Sequence, residues 1–304
     1  MGVSGGSDSV ALARALIDLA PASDFRIAGL AHYNHQLRPT ASRDETFCRD
    51  LAASLNLPFS TEAADVAAYA GEHRLSLEDA ARRLRYAFLD RAAATCSATC
   101  IAVGHTVDDQ AETVLLKLMR GAGPSGLGGV YPRRGAVIRP LLDVSRDELR
   151  AWLGTLGQSW VDDETNADLS NPRNRVRHRV LPELDAAYGG NTRSSLARAA
   201  EVAREDGQWL DELAASRYQA LVTSGRDCLQ LNVAALLSEP LPLARRVLWQ
   251  AMRVRAGGRE VGLEHVELAL AVLRGHARAA DVPGSRWELR GENLVLLDQG
   301  SAAR

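Results

Sequence analysis

The residues of this chain that could do chemistry begin at its fourth position, with the string Ser4-Gly5-Gly6-Ser7-Asp8-Ser9. Two adjacent glycines allow the backbone to approach a ligand closely and to take a positive φ angle. Ser7, Asp8 and Ser9 favour the first turn of a helix, and an apolar run follows them. The pattern predicts a turn that opens a helix, where free N–H groups and the positive dipole end attract an anion. An ordinary glycine–serine turn before a helix is the alternative.

A second polar group, at residues 104–113, ends a predicted strand and opens a predicted helix. Asp109 and Glu112 are three residues apart in it, so both carboxylates project from one helix face. Acidic residues in a first turn are also favourable with the helix dipole and need no function. Opposite a phosphate loop, the same pair could hold Mg²⁺, bind an ammonium group or accept a proton from an amine nucleophile.

Basic residues form two further candidate groups. Arg82 and Arg85 lie three apart in a helix predicted over residues 76–94, and Arg139 stands alone further along the chain. A solvated face explains such arginines, and so does the neutralisation of charge beside a triphosphate. The densest basic run contains Arg173, Asn174, Arg177 and Arg179. For this run, a solvated face and contact with RNA phosphates are both open.

Regular elements must bring these groups together. Apolar segments at residues 25–31 and 100–104 predict buried strands. Helical patterns alternate with them at residues 9–20, 76–94 and 107–120. The alternation predicts an α/β fold with a parallel sheet, in which ligands bind at the carboxyl ends of the strands. That rule places the loop at 4–9 beside His32 and beside Gly104-His105.

The alternation of strands and helices stops near residue 190, where we expect a domain boundary. Residues 1–190 then form the parallel-sheet domain, and residues 191–304 form a smaller, mainly helical domain that ends in a β-hairpin turning near Gly291.

Only Met1, Gly2 and Val3 precede the phosphate loop. A buried parallel strand normally supplies about five apolar residues there, so we expect most of a first strand to be missing.

Composition excludes several classes of protein. The net charge of −2 indicates no global affinity for nucleic acid, so a basic surface must be local. The four cysteines lack metal-site or redox spacing, which favours free thiols. Neither a signal-peptide pattern nor an apolar run of transmembrane length is seen, so we expect a cytoplasmic protein with no membrane partner. Walker A and Rossmann glycine patterns are absent, so an ATP site must use the loop at Ser4.

The string Ser-Gly-Gly-x-Asp-Ser resembles the pyrophosphate loop of the N-type ATP pyrophosphatases. Over about residues 3–185 the chain resembles the tRNA(Ile)-lysidine synthetases of that superfamily. The matching motifs lie at residues 4–9, 32–38, 81–86, 105–113, 120–127, 139–142, 162–166 and 173–182. The most specific is the helix Asp-Asp-Gln-x-Glu-Thr followed by Arg-Gly-x-Gly-Pro-x-Gly-Leu.

The resemblance implies a PP-loop ATPase domain of the adenine nucleotide alpha hydrolase type. It also implies an enzyme for an isoleucine tRNA with anticodon CAU: ATP adenylates the wobble cytidine with release of pyrophosphate, and L-lysine then displaces AMP to give lysidine. Transferred to this sequence, it implies catalysis by Asp8, Asp109 and Glu112, with Mg²⁺ on Asp8 and Asp109. ATP contacts are expected from Ser4, Gly5, Gly6, Ser7, Asp8, Ser9, His32, Arg85, Gly104 and His105. Contacts with tRNA are expected from Arg82, Arg139, Arg173, Asn174, Arg177 and Arg179. A homodimer is left open.

Two other functions compete with this interpretation. A sulfur-inserting tRNA thiolase of the same superfamily would need cysteine pairs as sulfur carriers or cluster ligands, and the sequence does not show them. A non-catalytic tRNA-binding module with a degenerate site would fit the short segment before the phosphate loop. Release of pyrophosphate from ATP in the presence of lysine and tRNA separates the ligase from this third possibility.

Overall fold

The computed structural model describes residues 1–36, 41–162, 168–224 and 228–298. Arg38 and residues 163–166, which belong to the predicted motifs, lie outside the described residues. Two compact units divide the chain between Arg204 and Glu205. This division falls inside a long helix, Thr192–Leu221, and so lies beyond the boundary expected near residue 190.

A parallel sheet organises the first unit. Its strands are β1 (Leu30–Asn34), β2 (Phe59–Ala63), β3 (Ile101–Ala102), β4 (Arg133–Arg134) and β5 (Val137–Ile138). β1 pairs in parallel with β2 and β3 in parallel with β5, while β4 is antiparallel to β5. The expected α/β class is confirmed.

The first three residues connect the two parts of this sheet. The backbone N–H of Gly2 donates to the carbonyl of Ala102, and that of Val3 donates to the carbonyl of Ala31, both at 2.9 Å. Val3 is buried in the core beside β1. The segment therefore lies between β1 and β3, directly before the predicted phosphate loop.

Helices cover this sheet and carry most of the candidate residues. They are α1 (Ser7–Leu19), α2 (Ala41–Ser54), α3 (Val66–His73), α4 (Leu77–Thr95), α5 (Val107–Met119), α6 (Pro124–Leu127), α7 (Arg146–Thr155), α8 (Pro172–Arg175), α9 (Leu181–Tyr188) and α10 (Thr192–Leu221). A π-helical turn at Val176–Val180 joins α8 to α9. Side-chain caps define the starts that matter for the site: Ser76 caps α4, Thr106 caps α5 and Ser145 caps α7.

The strand expected over residues 25–31 lies instead at Leu30–Asn34, so His32 is inside β1 rather than after it. The apolar pattern was misleading because Phe25 is 38% exposed. Strand formation depends on pairing partners, and residues 1–3 and β2 lie opposite residues 30–34. His32 tolerates burial because its Nδ1 lies 3.0 Å from the carbonyl oxygen of Val3.

The second unit contains a five-stranded antiparallel sheet beside its helices. The strand order is β6 (Val222–Ser224), β7 (Cys228–Asn232), β10 (Asn293–Asp298), β9 (Ser285–Arg290) and β8 (Ala279–Val282). The helices are α11 (Val233–Ser238), α12 (Leu241–Arg255) and α13 (Leu263–Leu273). The hairpin turning near Gly291 is present as β9 and β10. The unit is mainly helical, as expected. The sequence analysis missed three strands, β6, β7 and β8, which extend the hairpin into a five-stranded sheet that contains the buried Trp287.

Candidate active site

The string at residues 4–9 forms a turn that leads directly into α1. Gly5 has a φ angle of +88°, which favours glycine, and Gly6 is the N-cap residue. The hydroxyl of Ser9 accepts from the backbone N–H of Ser4 at 3.1 Å and donates to the carbonyl of Gly6 at 3.0 Å. These two bonds fix the loop and leave the first N–H groups of α1 at its open end. The loop therefore has the form that phosphate binding requires.

The end of β3 packs against this loop without room for a side chain. A Cβ atom at Gly104 would lie 2.8 Å from the carbonyl oxygen of Asp8. Glycine at this position therefore allows the β3 edge and the first turn of α1 to touch. His105, the next residue, follows at the same edge of the sheet.

Asp109 shares its two oxygens between α5 and neighbouring arginines. Oδ2 accepts from the backbone N–H of Thr106 at 2.9 Å, closing a capping box. Oδ1 lies 3.2 Å from Nη2 of Arg173 and 3.7 Å from Nη2 of Arg146. Burial is the largest influence on the pKa of Asp109 and raises it, but Arg173, Arg146, His105 and the Thr106 N–H together hold the pKa below its usual value.

Glu112 is fully buried and is held by two arginines of the basic run. Arg177 donates to both of its oxygens, at 2.6 and 3.1 Å, and Arg173 donates to one at 2.6 Å. Arg173 and Arg177 are four residues apart, so both reach the same face of α5. A plain solvated face is therefore wrong for these two arginines, because their guanidinium groups neutralise a buried carboxylate.

The other members of the basic run have different surroundings. Asn174 is buried and donates to the carbonyl of Asp168 at 2.9 Å, which fixes the loop before α8. Arg179 is exposed and has no carboxylate within 4.0 Å in the part of the chain that the structure describes. Contact with tRNA by these residues stays a prediction. Arg179 is one exposed arginine of the run, and Arg175, which donates to two backbone carbonyls, is another.

Arg146, which the sequence analysis missed, joins the three candidate carboxylates. Its Nε donates to Oδ2 of Asp8 at 2.9 Å, while Nη2 is 3.7 Å from Asp109 and Nη1 is 3.9 Å from Glu112. One signal was available in the sequence. Ser145 and Glu148 form a capping box, which makes Arg146 the first residue of α7, where a cation opposes the helix dipole. A residue in an unfavourable helical position indicates an interaction elsewhere.

Arg82, Arg85 and Arg139 gather around Tyr86. The guanidinium groups of Arg82 and Arg85 lie 5.0 and 5.6 Å from the Tyr86 ring centroid, and Arg139 Nη2 donates to the Tyr86 hydroxyl at 3.5 Å. Arg139 is 6% exposed, and its Nη1 donates to the carbonyl of Tyr131 at 2.6 Å. Among the described residues, none of these three arginines has a carboxylate within 4.0 Å. The cluster carries uncompensated positive charge.

Two arginines of this cluster, Arg85 and Arg139, affect the pKa of His105. The pKa of His105 is lowered to about 4, chiefly by burial and also by Arg139, Arg85 and Arg173, while Asp109 opposes the shift. His105 is therefore neutral at pH 7. The contribution of Arg139, Arg85 and Arg173 to this shift, as distinct from that of burial, is what an anion such as phosphate would experience as attraction.

Burial also raises the pKa of Asp8, and the nearby Asp109 adds to this, whereas Arg146 opposes it. The Arg146 guanidinium contacts both carboxylates, at 2.9 Å from Asp8 and 3.7 Å from Asp109. Among the described residues there is no group of three or more His, Cys, Asp or Glu that could hold a metal alone. Mg²⁺ nevertheless fits this donor set, because it commonly uses only one or two carboxylates together with substrate phosphates.

Most of the predicted site is brought together at one edge of the sheet. Among the described residues, three predicted ones differ from the rest in their contacts. His32 contacts the carbonyl of Val3 and has a pKa lowered by burial. Asn174 bonds to the carbonyl of Asp168, and Arg179 is exposed.

A cavity of about 750 Å³ lies elsewhere, around Met1 and the amino-terminal ends of β1 and β3. The charged side chains, and not the cavity, therefore identify the candidate site. The cavity lies at the amino-terminal ends of the strands, whereas the charged side chains lie at the carboxyl ends.

Comparisons with known proteins agree with the geometry at the loop. The PP-loop domain family (ATP_bind_3) matches residues 1–184. The tRNA(Ile)-lysidine synthase of Geobacter sulfurreducens is 41% identical over 99% of this chain and 63% of its own length. The enzyme of the same name from Thermus thermophilus is 41% identical over 98% of this chain and 56% of its own length. The chain thus spans about six tenths of the length of these relatives.

One solved structure also shares the fold. The U34-tRNA thiolase NcsA from Methanococcus maripaludis, solved with its [4Fe-4S] cluster, matches 67% of this chain and 71% of its own with a TM-score of 0.55. The two sequences are 18% identical, so this likeness concerns the fold alone. In the part of the chain that the structure describes, no helix is long and apolar enough to span a membrane.

Proposed function

This chain belongs to the PP-loop domain family, and we propose that it carries the catalytic site of a tRNA(Ile)-lysidine synthase. The reaction would use ATP to adenylate the wobble cytidine of the isoleucine tRNA with anticodon CAU, and would then join L-lysine to C2. One observation carries the proposal: α1 and α5 bring Asp8, Asp109 and Glu112 together beside the loop at residues 4–9. The identity to lysidine synthases over nearly the whole chain supports it.

In the first half-reaction, the loop at residues 4–9 would hold the β- and γ-phosphates of ATP through backbone N–H groups. The cytidine C2 oxygen attacks the α-phosphorus, and pyrophosphate leaves. Asp8 and Asp109 would hold Mg²⁺, which when bound neutralises phosphate charge. Arg85 and Arg139 add positive charge beside the neutral His105, where it can oppose the charge that develops on the α-phosphate.

In the second half-reaction, the lysine ε-amine attacks C2 and the bond from C2 to the AMP oxygen breaks. The amine loses one proton as the C–N bond forms, and a carboxylate at the site would accept it. Asp109 is the more accessible of the acidic pair, because its side chain is 13% exposed and that of Glu112 is fully buried. We therefore assign contact with the amine to Asp109 and support of the surrounding arginines to Glu112.

Contact with tRNA would involve the exposed end of the basic run. Arg179→Ala is expected to reduce the slope of log K for tRNA binding against log salt concentration by about one unit, because one phosphate contact is lost. Arg177→Ala, the matched variant two residues earlier, removes a charge that Glu112 already neutralises. For Arg177→Ala, the slope of log K against log salt concentration should therefore stay near the wild-type value. Filter binding of the tRNA transcript at several salt concentrations measures both slopes, and equal slopes for Arg179→Ala and wild type would contradict the assignment.

The proposed reaction itself is tested by mass spectrometry of the anticodon nucleoside. The 304-residue chain is incubated with ATP, lysine and the tRNA(Ile) transcript, and the digested RNA is examined. We expect a cytidine heavier by one lysine less one water, formed only when both ATP and lysine are present. A sulfur-containing nucleoside formed with a sulfur donor would instead indicate a thiolase, and an unmodified cytidine without pyrophosphate release would indicate a binding module.

A further inference from the structure

Arg146 is positioned to act as a cation within the site. Its guanidinium group is 15% exposed and lies among three carboxylates, at 2.9 Å from Asp8, 3.7 Å from Asp109 and 3.9 Å from Glu112. Only the contact with Asp8 is a hydrogen bond. The two longer contacts mean that the group neutralises a shared region of negative charge without being held tightly by Asp109 or Glu112.

The backbone of Arg146 is fixed while its side chain crosses to another helix. The N–H of Arg146 donates to Oδ2 of Asp108 at 2.8 Å. The other oxygen of Asp108 forms an ion pair at 2.8 Å with Arg193, which also pairs with Asp185. The start of α7 is thus held against α5. A change in the contacts of Arg146 would therefore require only a rotation of its side chain.

The three carboxylates depend on Arg146 to different degrees. Glu112 keeps Arg173 and Arg177 without it, and Asp109 keeps Arg173 and the cap of α5. Asp8 keeps the hydroxyl of Ser7, which donates to its Oδ1 at 2.9 Å and carries no charge. Arg146 consequently matters most for Asp8, and it also contacts Asp109; these are the two residues to which the proposed function assigns Mg²⁺.

We propose that Arg146 is a placeholder cation, which neutralises Asp8 and Asp109 in the nucleotide-free protein and gives way when a divalent cation binds. The inference rests on the metal assignment within the proposed function. Two cations cannot share these carboxylates without repulsion, and at protein-like dielectric a unit charge a few ångströms away changes affinity substantially. Removal of the Arg146 charge should therefore tighten divalent-cation binding, whereas a residue that shapes the metal site would weaken that binding when removed.

Binding of Mn²⁺ to the nucleotide-free chain at pH 8, followed by electron paramagnetic resonance, measures this effect without activity. Arg146→Gln is expected to lower the Kd for Mn²⁺ about tenfold. Arg150→Gln is the matched control, because Arg150 lies one turn later on α7 and contacts Ser7 and Asp162 but none of the three carboxylates. Its Kd should stay within about twofold of wild type. An unchanged or higher Kd for Arg146→Gln, an equal gain for Arg150→Gln, or no Mn²⁺ binding by any variant overturns the proposal.

Two further measurements keep the result decisive. Asp109→Asn combined with Arg146→Gln should abolish the gain, because Asp109 is one of the two carboxylates that the divalent cation would need. Should Arg146→Gln fail to fold, Arg146→Lys replaces it: a lysine ammonium cannot reach three carboxylates at once, so an intermediate gain of about threefold is expected and an unchanged Kd overturns the proposal. Pyrophosphate release by the wild type is measured in parallel, so failure of the proposed function is seen separately from failure of the Mn²⁺ shift.

Discussion

Asp8→Asn is expected to slow pyrophosphate release from ATP by at least 100-fold, which corresponds to about 2.7 kcal/mol of activation free energy. Asp8 lies in the first turn of α1, directly after the loop that would hold the phosphates, and its side chain is 16% exposed. Asparagine keeps the size of the side chain but loses its negative charge. Its amide oxygen is a weaker, neutral ligand for a divalent cation next to the phosphates, and it forms no ion pair with Arg146.

A coupled assay for pyrophosphate with ATP, lysine and tRNA measures this loss. Asp18→Asn is the matched control, because Asp18 is an exposed carboxylate near the other end of the same helix. Its rate should stay within about twofold of wild type. Near-normal pyrophosphate release by a folded Asp8→Asn variant would contradict the assigned role of Asp8.

Local spacing was sufficient to predict the parts of the site that come from one segment. The two glycines before Ser7 predicted the loop and the start of α1, and both are present. The spacing of Asp109 and Glu112 placed them on α5, whose bounds agree with the sequence pattern to one residue. Each of these features depends on backbone conformation and helix periodicity, which neighbouring residues determine.

Pairing between distant segments could not be predicted in this way. Arg146 contacts Asp8 across 138 positions, and Arg177 contacts Glu112 across 65. No periodicity relates such residues, so the basic run at 173–179 fitted a solvated face equally well. The same reason explains the second unit, where β6 and β8 have only three and four residues and become strands through antiparallel partners. Short strands carry too little alternation to be recognised alone.

Glu112→Gln is expected to lower the free energy of unfolding by about 3 kcal/mol, because it breaks a buried ion pair by removing one partner. Glu112 is fully buried and accepts three hydrogen bonds of 2.6, 2.6 and 3.1 Å from Arg173 and Arg177. Glutamine offers one oxygen and turns an NH₂ group toward a guanidinium, so at least one arginine loses its acceptor. Urea unfolding measures the change.

The same variant is expected to impair lysine use more than ATP binding. Arg173 also contacts Asp109 at 3.2 Å, so loss of the Glu112 charge alters the carboxylate assigned to the lysine amine. We expect a higher KM for lysine or a lower kcat, with nearly unchanged ATP affinity. Asp109→Asn should also impair lysine use, with a smaller loss of stability since Asp109 is less buried. Because Asp109 is also assigned to Mg²⁺, this variant, unlike Glu112→Gln, should lower ATP affinity as well.

Two controls separate the ion-pair effect from a general loss of charge. Glu72→Gln removes an exposed carboxylate and should change stability by less than about 0.5 kcal/mol. Arg177→Met added to Glu112→Gln should recover part of the lost stability, because it removes the cation that the first change leaves unpaired. A loss below about 1 kcal/mol together with unchanged lysine kinetics would show that Arg173 and Arg177 do not depend on Glu112. The contacts of Arg146 and Asp109 would then have to hold the side chains of the site in place without Glu112.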